Sequence, residues 1–327
     1  MSIRKLQENY EYAWPLAIRF ADRLSEQLLE LLTSEGISLA VPIESRVKTW
    51  DSIQNKIGMR NLEINKVSEL GDLVGLRLIL LFVRDVNSVI SLLNEKLEVI
   101  SKEDTGERLG DSQFGYQSVH LQLKLPSSWL SIPTFKGLGE MTAEIQVRTA
   151  SQHIWAAASH VLQYKQESAV PLPVRRSINR VAALLETVDL ELERTLGERA
   201  AYVHEIQEKE KDTPQFLAQQ LDYETLLAYT RWKYPILPAS DDLNLRLLQD
   251  LDQGSYPTLA QIDKVVEQAE SAVEAYRREN PEWFTFGTDY ITKSLGFVDE
   301  AFLSKHGFAK RTRDAIAKYK HLVKSGP

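Results

Sequence analysis

The sequence predicts an α+β protein with one mixed sheet flanked by helices, followed by an all-helical C-terminal region. Between residues 13 and 165, helical and strand periodicities alternate in the order α-β-α-β-α-β-β-β-α, which is typical of a single sheet covered by helices. From residue 213 onward the apolar spacing is helical, and breaks fall near prolines. These prolines are Pro235, Pro238, Pro257 and Pro281.

The first three segments predict a helix, a strand and a second helix. Residues 13–34 carry apolar side chains mostly three and four positions apart, the period of a helix with one buried face. Residues 37–48 follow as a strand, and Pro42 places that strand at a sheet edge. Residues 49–58 predict a short helix that Gly58 closes.

The rest of this half supplies the buried part of the sheet. Residues 72–82 are almost wholly apolar and predict a buried strand, interrupted only by Arg77 within its interior. The strand over 115–125 alternates polar and apolar residues, so one of its faces is available to a ligand. Further strands are predicted over 97–105 and 140–149, and helices over 86–97, 150–165 and 175–196.

We therefore predict three parts: an α+β domain over 1–170, a long helix and charged linker over 171–212, and a helical accessory domain over 213–327. The 327 residues contain no cysteine, which excludes disulfides and thiolate chemistry and fits a reducing cytoplasm. The longest apolar run, 73–83, contains Arg77 and is too short to span a bilayer, so no membrane partner is expected.

A first cluster gathers positive charge in a chain of net charge −7. Arg46 and Lys48 lie two apart on a predicted strand and share a face, while Ser52 and Lys56 lie four apart on the next helix and share another. Three cations and a hydroxyl at such a corner suit a triphosphate. The alternative is a solvated helix face beside a sheet edge.

A second cluster pairs Asp72 with Arg77 around the buried strand. A buried arginine needs a partner, so Arg77 either pairs with Asp72 or another acid, or stacks on a base while Asp72 binds magnesium. Residues alone leave both accounts open.

A third cluster lies on two later strands. Tyr116 and His120 share one strand face, and Glu144 shares a face with Gln146. A carboxylate there would complete a metal site or take a proton from a hydroxyl. The alternative is an ordinary solvated sheet face.

Together these motifs resemble one family. R-x-K-x3-S-x3-K, D-L-V-G-L-R, G-Y-Q-S-V-H and E-I-Q-V-R-T, in this order over residues 40–166, are similar to the synthetase domain of RelA/SpoT-type alarmone synthetases. The resemblance implies a nucleotidyltransferase (polymerase-β-like) sheet. It also implies transfer of the β,γ-pyrophosphate of ATP to the 3′-hydroxyl of GDP or GTP, which makes (p)ppGpp and releases AMP.

The resemblance further implies a role for each motif residue. The expected ATP-binding residues are Arg46, Lys48, Ser52 and Lys56 at the phosphates and Arg77 on the adenine. The expected acceptor-binding residues are Tyr116, His120 and Gln146. Asp72 and Glu144 would be catalytic and hold Mg²⁺, with Glu144 the base for the acceptor hydroxyl.

Two departures open alternatives. Ser112 and Phe114 stand where many family members carry Lys and Asn, which weakens the case for a guanine nucleotide acceptor. A tRNA 3′ end is the alternative acceptor, and the basic segment 304–327 would suit RNA phosphates. A nucleotide-sensing module without turnover is the second alternative.

The chain contains no His-Asp pair of the family's hydrolase, so an antitoxin or another regulatory partner is expected to limit synthesis. The accessory region is expected to regulate the synthetase by covering its cleft or by building a homo-oligomer. On the family resemblance, the apolar stripe over 175–196 is a candidate interface; packing on the protein's own sheet is the alternative.

Overall fold

The computed structural model describes residues 3–104, 118–162, 171–251 and 254–324. The chain divides into two compact units, Met1–Leu196 and Gly197–Pro327. The first unit contains the sheet and the second is built from helices, so the predicted α+β arrangement with a helical C-terminal region is confirmed.

The helices and strands of the first unit follow the predicted order, except that a short helix, Ser127–Leu130, lies between the last two strands. Its main elements are α1 Ile3–Ser34, β1 Glu44–Val47, α2 Trp50–Arg60, β2 Val74–Leu80, α3 Val83–Lys96, β3 Glu98–Asp104, β4 Val119–Lys124, α4 Ser127–Leu130, β5 Ala143–Thr149, α5 Ala150–Leu162 and α6 Leu172–Lys209, which continues into the second unit.

The sheet has the strand order β1-β2-β5-β4-β3. The central pair, β2 and β5, is parallel, and every other neighbouring pair is antiparallel, which makes the sheet mixed. β1 lies at an edge, as Pro42 indicates. In this order β5 is the central strand, so its middle residues lie at the centre of the sheet.

Alternate strand residues form the core and leave the opposite face polar. Leu76, Leu121 and Ile145 are fully buried, and they belong to one apolar cluster with α1 residues such as Phe20 and Leu24. Because successive strand side chains point to opposite faces, the residues between them point away from this core. One face of the sheet is therefore apolar and packed in the core, and the opposite face carries the polar side chains.

Several element ends differ from the prediction. α1 begins at Ile3, ten residues before the predicted start, because its buried stripe already includes Leu6. Gly58 does not close α2; the helix continues to Arg60 and ends at Asn61, whose φ of 49° is left-handed. Asparagine tolerates this conformation, so it caps the helix where glycine was expected.

The long helix α6 also exceeds its prediction. It runs without a break from Leu172 to Lys209, so residues 197–209, predicted as a charged linker, are helical. Within the first unit, the buried carboxylate of Asp189 accepts a hydrogen bond of 2.6 Å from the Thr149 hydroxyl at the end of β5.

The second unit packs its helices around aromatic and aliphatic side chains. Its helices after α6 are α7 Thr213–Leu217, α8 Tyr223–Lys233, α9 Asp241–Asp250, α10 Leu259–Glu279, α11 Gly287–Val298, α12 Glu300–Lys305 and α13 Lys310–Tyr319. Tyr229 and Tyr276 are almost fully buried, and Phe284 contacts Tyr276 edge to face. Through the described ranges, no helix is both long and apolar enough to cross a membrane.

The Thr149–Asp189 contact yields a stability prediction. Thr149→Val keeps the side-chain shape but removes both the bond to Asp189 and the hydroxyl that accepts from the Gln152 amide at the start of α5. Loss of a helix cap and of a buried carboxylate's partner should cost about 2–4 kcal/mol in urea denaturation.

The matched control is Thr187→Val, where an exposed hydroxyl donates to a carbonyl of its own helix. We expect a change within about 0.5 kcal/mol for this variant. Equal effects of the two substitutions would contradict the role given to the Thr149–Asp189 bond.

Candidate active site

Two rows of side chains cross the polar face of the five-stranded sheet. Each row consists of residues that lie directly opposite one another on neighbouring strands, so their side chains share the face. The first row is Glu44, Arg77, Gln146, His120 and Glu103. The second row is Arg46, Gly75, Glu144, Gln122 and Ser101.

The corner between β1 and α2 is fixed by backbone and side-chain bonds. The Lys48 amide donates to the Leu73 carbonyl at 2.8 Å, and the Tyr10 hydroxyl donates to the Lys48 carbonyl at 3.3 Å. Thr49 caps α2 through its hydroxyl, which accepts from the Ser52 amide at 3.4 Å. These bonds hold Lys48 beside the segment that carries Asp72.

Asp72 lies between two ammonium groups. One of its carboxylate oxygens accepts hydrogen bonds from the ammonium groups of Lys48 and Lys56, the latter at 2.7 Å. Burial alone would raise the pKa of Asp72, but the two lysines outweigh that effect and leave the pKa below its usual value. The second oxygen, Oδ1, is buried and has no hydrogen-bond partner among the described residues.

Glu144 is the second acid of the same cleft. Its Oε1 lies 2.8 Å from Nδ1 of His120, and this hydrogen bond lowers the Glu144 pKa against the opposing effects of burial and of the nearby Asp72 charge. Glu144 is therefore ionised at neutral pH. The cleft has a volume of about 740 Å³, and Lys48, Ser52, Lys56, Asp72, His120 and Glu144 all line it.

Arg77 and Arg46 line an adjoining cleft of about 640 Å³. Arg77 donates to Glu44 at 3.0 Å and to Gln146 at 3.3 Å, so the acid that it pairs with is Glu44 and not Asp72. Arg46 lies across Gly75, which has no side chain to obstruct it. His120 lines both clefts and joins them.

The structure thus brings together most of the predicted site residues. Lys48, Ser52 and Lys56 line one cleft with both acids, while Arg46 lines the neighbouring one, so the predicted cationic corner spans two adjoining clefts. Tyr116 lies outside the described residues.

Residues that the sequence analysis did not assign to the site also line these clefts: Glu103 and Gln122 in the first, and Arg148 and His153 in the second. The His153 ring is kept neutral because burial and the charge of Arg148 lower its pKa, and it accepts from Arg148 at 2.9 Å. The alternation of residues along β3 and β4 could have placed Glu103 on the polar face. That step required knowing that β3 and β4 are neighbours in the sheet.

The donor set fits a magnesium ion. Asp72 offers a buried oxygen that has no hydrogen-bond partner in the described part of the chain, and Glu144 lies in the same cleft. Within the described ranges, no group of three histidine, cysteine or acidic side chains is arranged to hold a metal unaided. Such a site suits Mg²⁺, which takes one or two carboxylates and completes its shell with substrate phosphates and water.

Comparison with known proteins identifies relatives of the sheet unit. A family model described as a region found in RelA / SpoT proteins matches residues 45–169. The chain is 28% identical over 160 residues to GTP pyrophosphokinase YjbM of Bacillus subtilis (strain 168), an alignment that covers 48% of this chain and 74% of that protein. GTP pyrophosphokinase YwaC of the same organism is 29% identical over 164 residues, covering 48% and 73%.

A solved structure is also similar. The crystal structure of the small alarmone synthetase 1 from Bacillus subtilis matches with a TM-score of 0.48 and 24% identity, over 59% of this chain and 99% of that chain.

The lowered pKa of Asp72 predicts a pH dependence of stability. A carboxylate whose folded pKa is depressed stabilises the fold above its unfolded pKa of about 3.9, and this contribution is lost as the pH falls through the folded value. Asp72→Asn should therefore be less stable than the parent at pH 7, and the difference should shrink as urea denaturation is repeated toward pH 3.

Glu63→Gln serves as the control, because Glu63 is an exposed carboxylate of the same unit. Its effect on stability should be small across this range. A stability difference for Asp72→Asn that stays constant from pH 7 to pH 3 would contradict the assigned charge contacts.

Proposed function

We propose that this chain, whose residues 45–169 match the model of a region found in RelA / SpoT proteins, is a pyrophosphokinase that moves the β,γ-pyrophosphate of ATP to the 3′-hydroxyl of GDP or GTP. The products are a (p)ppGpp nucleotide and AMP. One observation carries the proposal: Lys48, Lys56, Asp72 and Glu144 line a single cleft. That two relatives are named GTP pyrophosphokinases supports the choice of acceptor.

The donor side of the cleft is preorganised for a polyphosphate. Asp72 holds the two ammonium groups in place before a nucleotide arrives, so little reorganisation is needed when phosphates bind. Ser52 adds a hydroxyl from the first turn of α2. Arg77 lines the adjoining cleft, where a planar guanidinium is suited to stack on the adenine, and Arg46 lines the same cleft.

The transfer itself needs a positioned hydroxyl and a proton acceptor. The acceptor's 3′-oxygen attacks the β-phosphorus of ATP, and the bond from that phosphorus to the oxygen bridging the α-phosphate breaks, so AMP leaves with the bridging oxygen. The hydroxyl proton passes to Glu144, which is ionised and held in orientation by His120. His120 lines both clefts and Gln146 lines the one with Arg77, and these two side chains would steady the acceptor.

Asp72 and Glu144 are the residues that would hold Mg²⁺. When bound, the ion would supply neutralisation of charge on the transferred phosphates. The residues of the chain bind and orient the two substrates.

The C-terminal basic segment does not favour tRNA as the acceptor. Its cations are largely engaged within the second unit, where Lys318 pairs with Glu279, Lys320 with Glu300 and Lys324 with Glu270. Lys305 and Arg313 donate to backbone carbonyls. This surface therefore carries both positive and negative charges. Binding of RNA phosphates requires an extended surface of positive charge.

An acceptor panel tests the proposed function. Purified protein is incubated with ATP labelled in the β- and γ-phosphates and with GDP, GTP, AMP or bulk tRNA in separate reactions. We expect label on GDP or GTP. Label only on tRNA would show that tRNA is the acceptor. Binding of nucleotide detected by calorimetry, with no labelled product in any reaction, would show that the protein is a nucleotide sensor without turnover.

Substitution of a donor-side cation gives a quantitative prediction. Lys56→Ala should lower kcat/KM for ATP by roughly 30- to 1000-fold, on the order of 2–4 kcal/mol, as for other preorganised charge stabilisers. Lys66→Ala, at an exposed lysine that pairs weakly with Glu140 at 3.6 Å, is the control and should leave the rate unchanged. Equal activity of both variants would refute the phosphate-binding role.

A further inference from the structure

Glu144 lies on β5, the central strand, with β1 and β2 on one side and β4 and β3 on the other. The cations assigned to ATP lie on β1, in the segment after it, on α2 and on β2, and β5 with Glu144 is the next strand after β2 in the sheet. In phosphoryl transfer the attacking and leaving oxygens lie roughly in line, so the acceptor approaches from the side away from AMP. The acceptor must therefore lie over β4 and β3.

Glu103 occupies this acceptor side. It lies on β3 directly opposite His120 of β4, its side chain is exposed, and it lines the same cleft as Glu144. β3 is two strands away from β5, which corresponds to about 10 Å across a sheet. A nucleoside spans a comparable distance between its ribose 3′-oxygen and the Watson–Crick edge of its purine.

The chemistry of a carboxylate selects among purines. An ionised carboxylate only accepts hydrogen bonds, and its two oxygens match the adjacent N1–H and 2-amino groups of guanine. Adenine presents an acceptor and a single donor on that edge, so it leaves one carboxylate oxygen facing a lone pair. A carboxylate also repels phosphates, which directs the 5′-phosphates of an acceptor away from β3.

We propose that Glu103 is a specificity residue that reads the guanine base of the acceptor while the 3′-hydroxyl lies at Glu144. This inference rests on the proposed function. It supplies a determinant for guanine in a chain whose 111–114 segment lacks the usual lysine and asparagine.

The test compares GDP with IDP, which lacks the 2-amino group. The parent enzyme should prefer GDP, and Glu103→Ala should lower kcat/KM for GDP by about 10- to 100-fold, the range for loss of a bidentate base contact. The GDP-to-IDP ratio should approach one. The kcat at saturating GDP and the KM for ATP should change little, because Glu103 does not contact the reacting atoms.

Glu98→Ala is the matched control, since Glu98 is an exposed glutamate at the other end of the same strand. It should leave the GDP-to-IDP ratio at the parent value. If Glu103→Ala fails to fold by circular dichroism, the isosteric Glu103→Gln replaces it and should show the same reduced ratio.

The outcomes separate this inference from the proposed function. A parent enzyme that transfers to no guanine nucleotide would overturn both. The other outcome is a parent enzyme that makes the guanine product and a folded Glu103 variant that keeps the parent GDP-to-IDP ratio and KM for GDP. This result would overturn the assignment of Glu103 alone.

Discussion

Two ammonium groups share one carboxylate oxygen at the centre of the cleft, and the rest of the site depends on this contact. Moving three charges partly out of water is costly unless they compensate each other. Asp72 satisfies this condition for Lys48 and Lys56, and its lowered pKa shows that the charged form is the stable one. The cluster keeps a net positive charge, which a polyphosphate would neutralise.

The sheet explains how residues distant in sequence meet at this cluster. The parallel pair of β2 and β5 places the Asp72 segment next to Glu144, and β4 brings His120 against Glu144 from the other side. Two glycines leave space for this arrangement. A side chain at Gly71 would overlap that of Gln122, and Gly75 leaves room for Arg46.

The sequence predicted the order of elements because each strand of the first unit alternates apolar with polar residues or is wholly apolar. It also predicted most of the polar side chains that meet in the two clefts, since the strand and helix spacings placed them on shared faces. It did not predict that Arg77 pairs with Glu44, or that Glu103 lies opposite His120, because both depend on which strands are neighbours. The end of α2 was misplaced for a local reason: Asn61, in the left-handed conformation, ends the helix in place of Gly58.

The most direct test of this account identifies the nucleotide that leaves when ATP and GDP react. Chromatographic separation of the products measures AMP and ADP separately. A cleft that holds the β- and γ-phosphates between Lys48, Lys56 and the two acids predicts AMP in an amount equal to the pyrophosphorylated product, with no ADP formed. Formation of ADP in proportion to product would show transfer of a single phosphoryl group and would contradict the account.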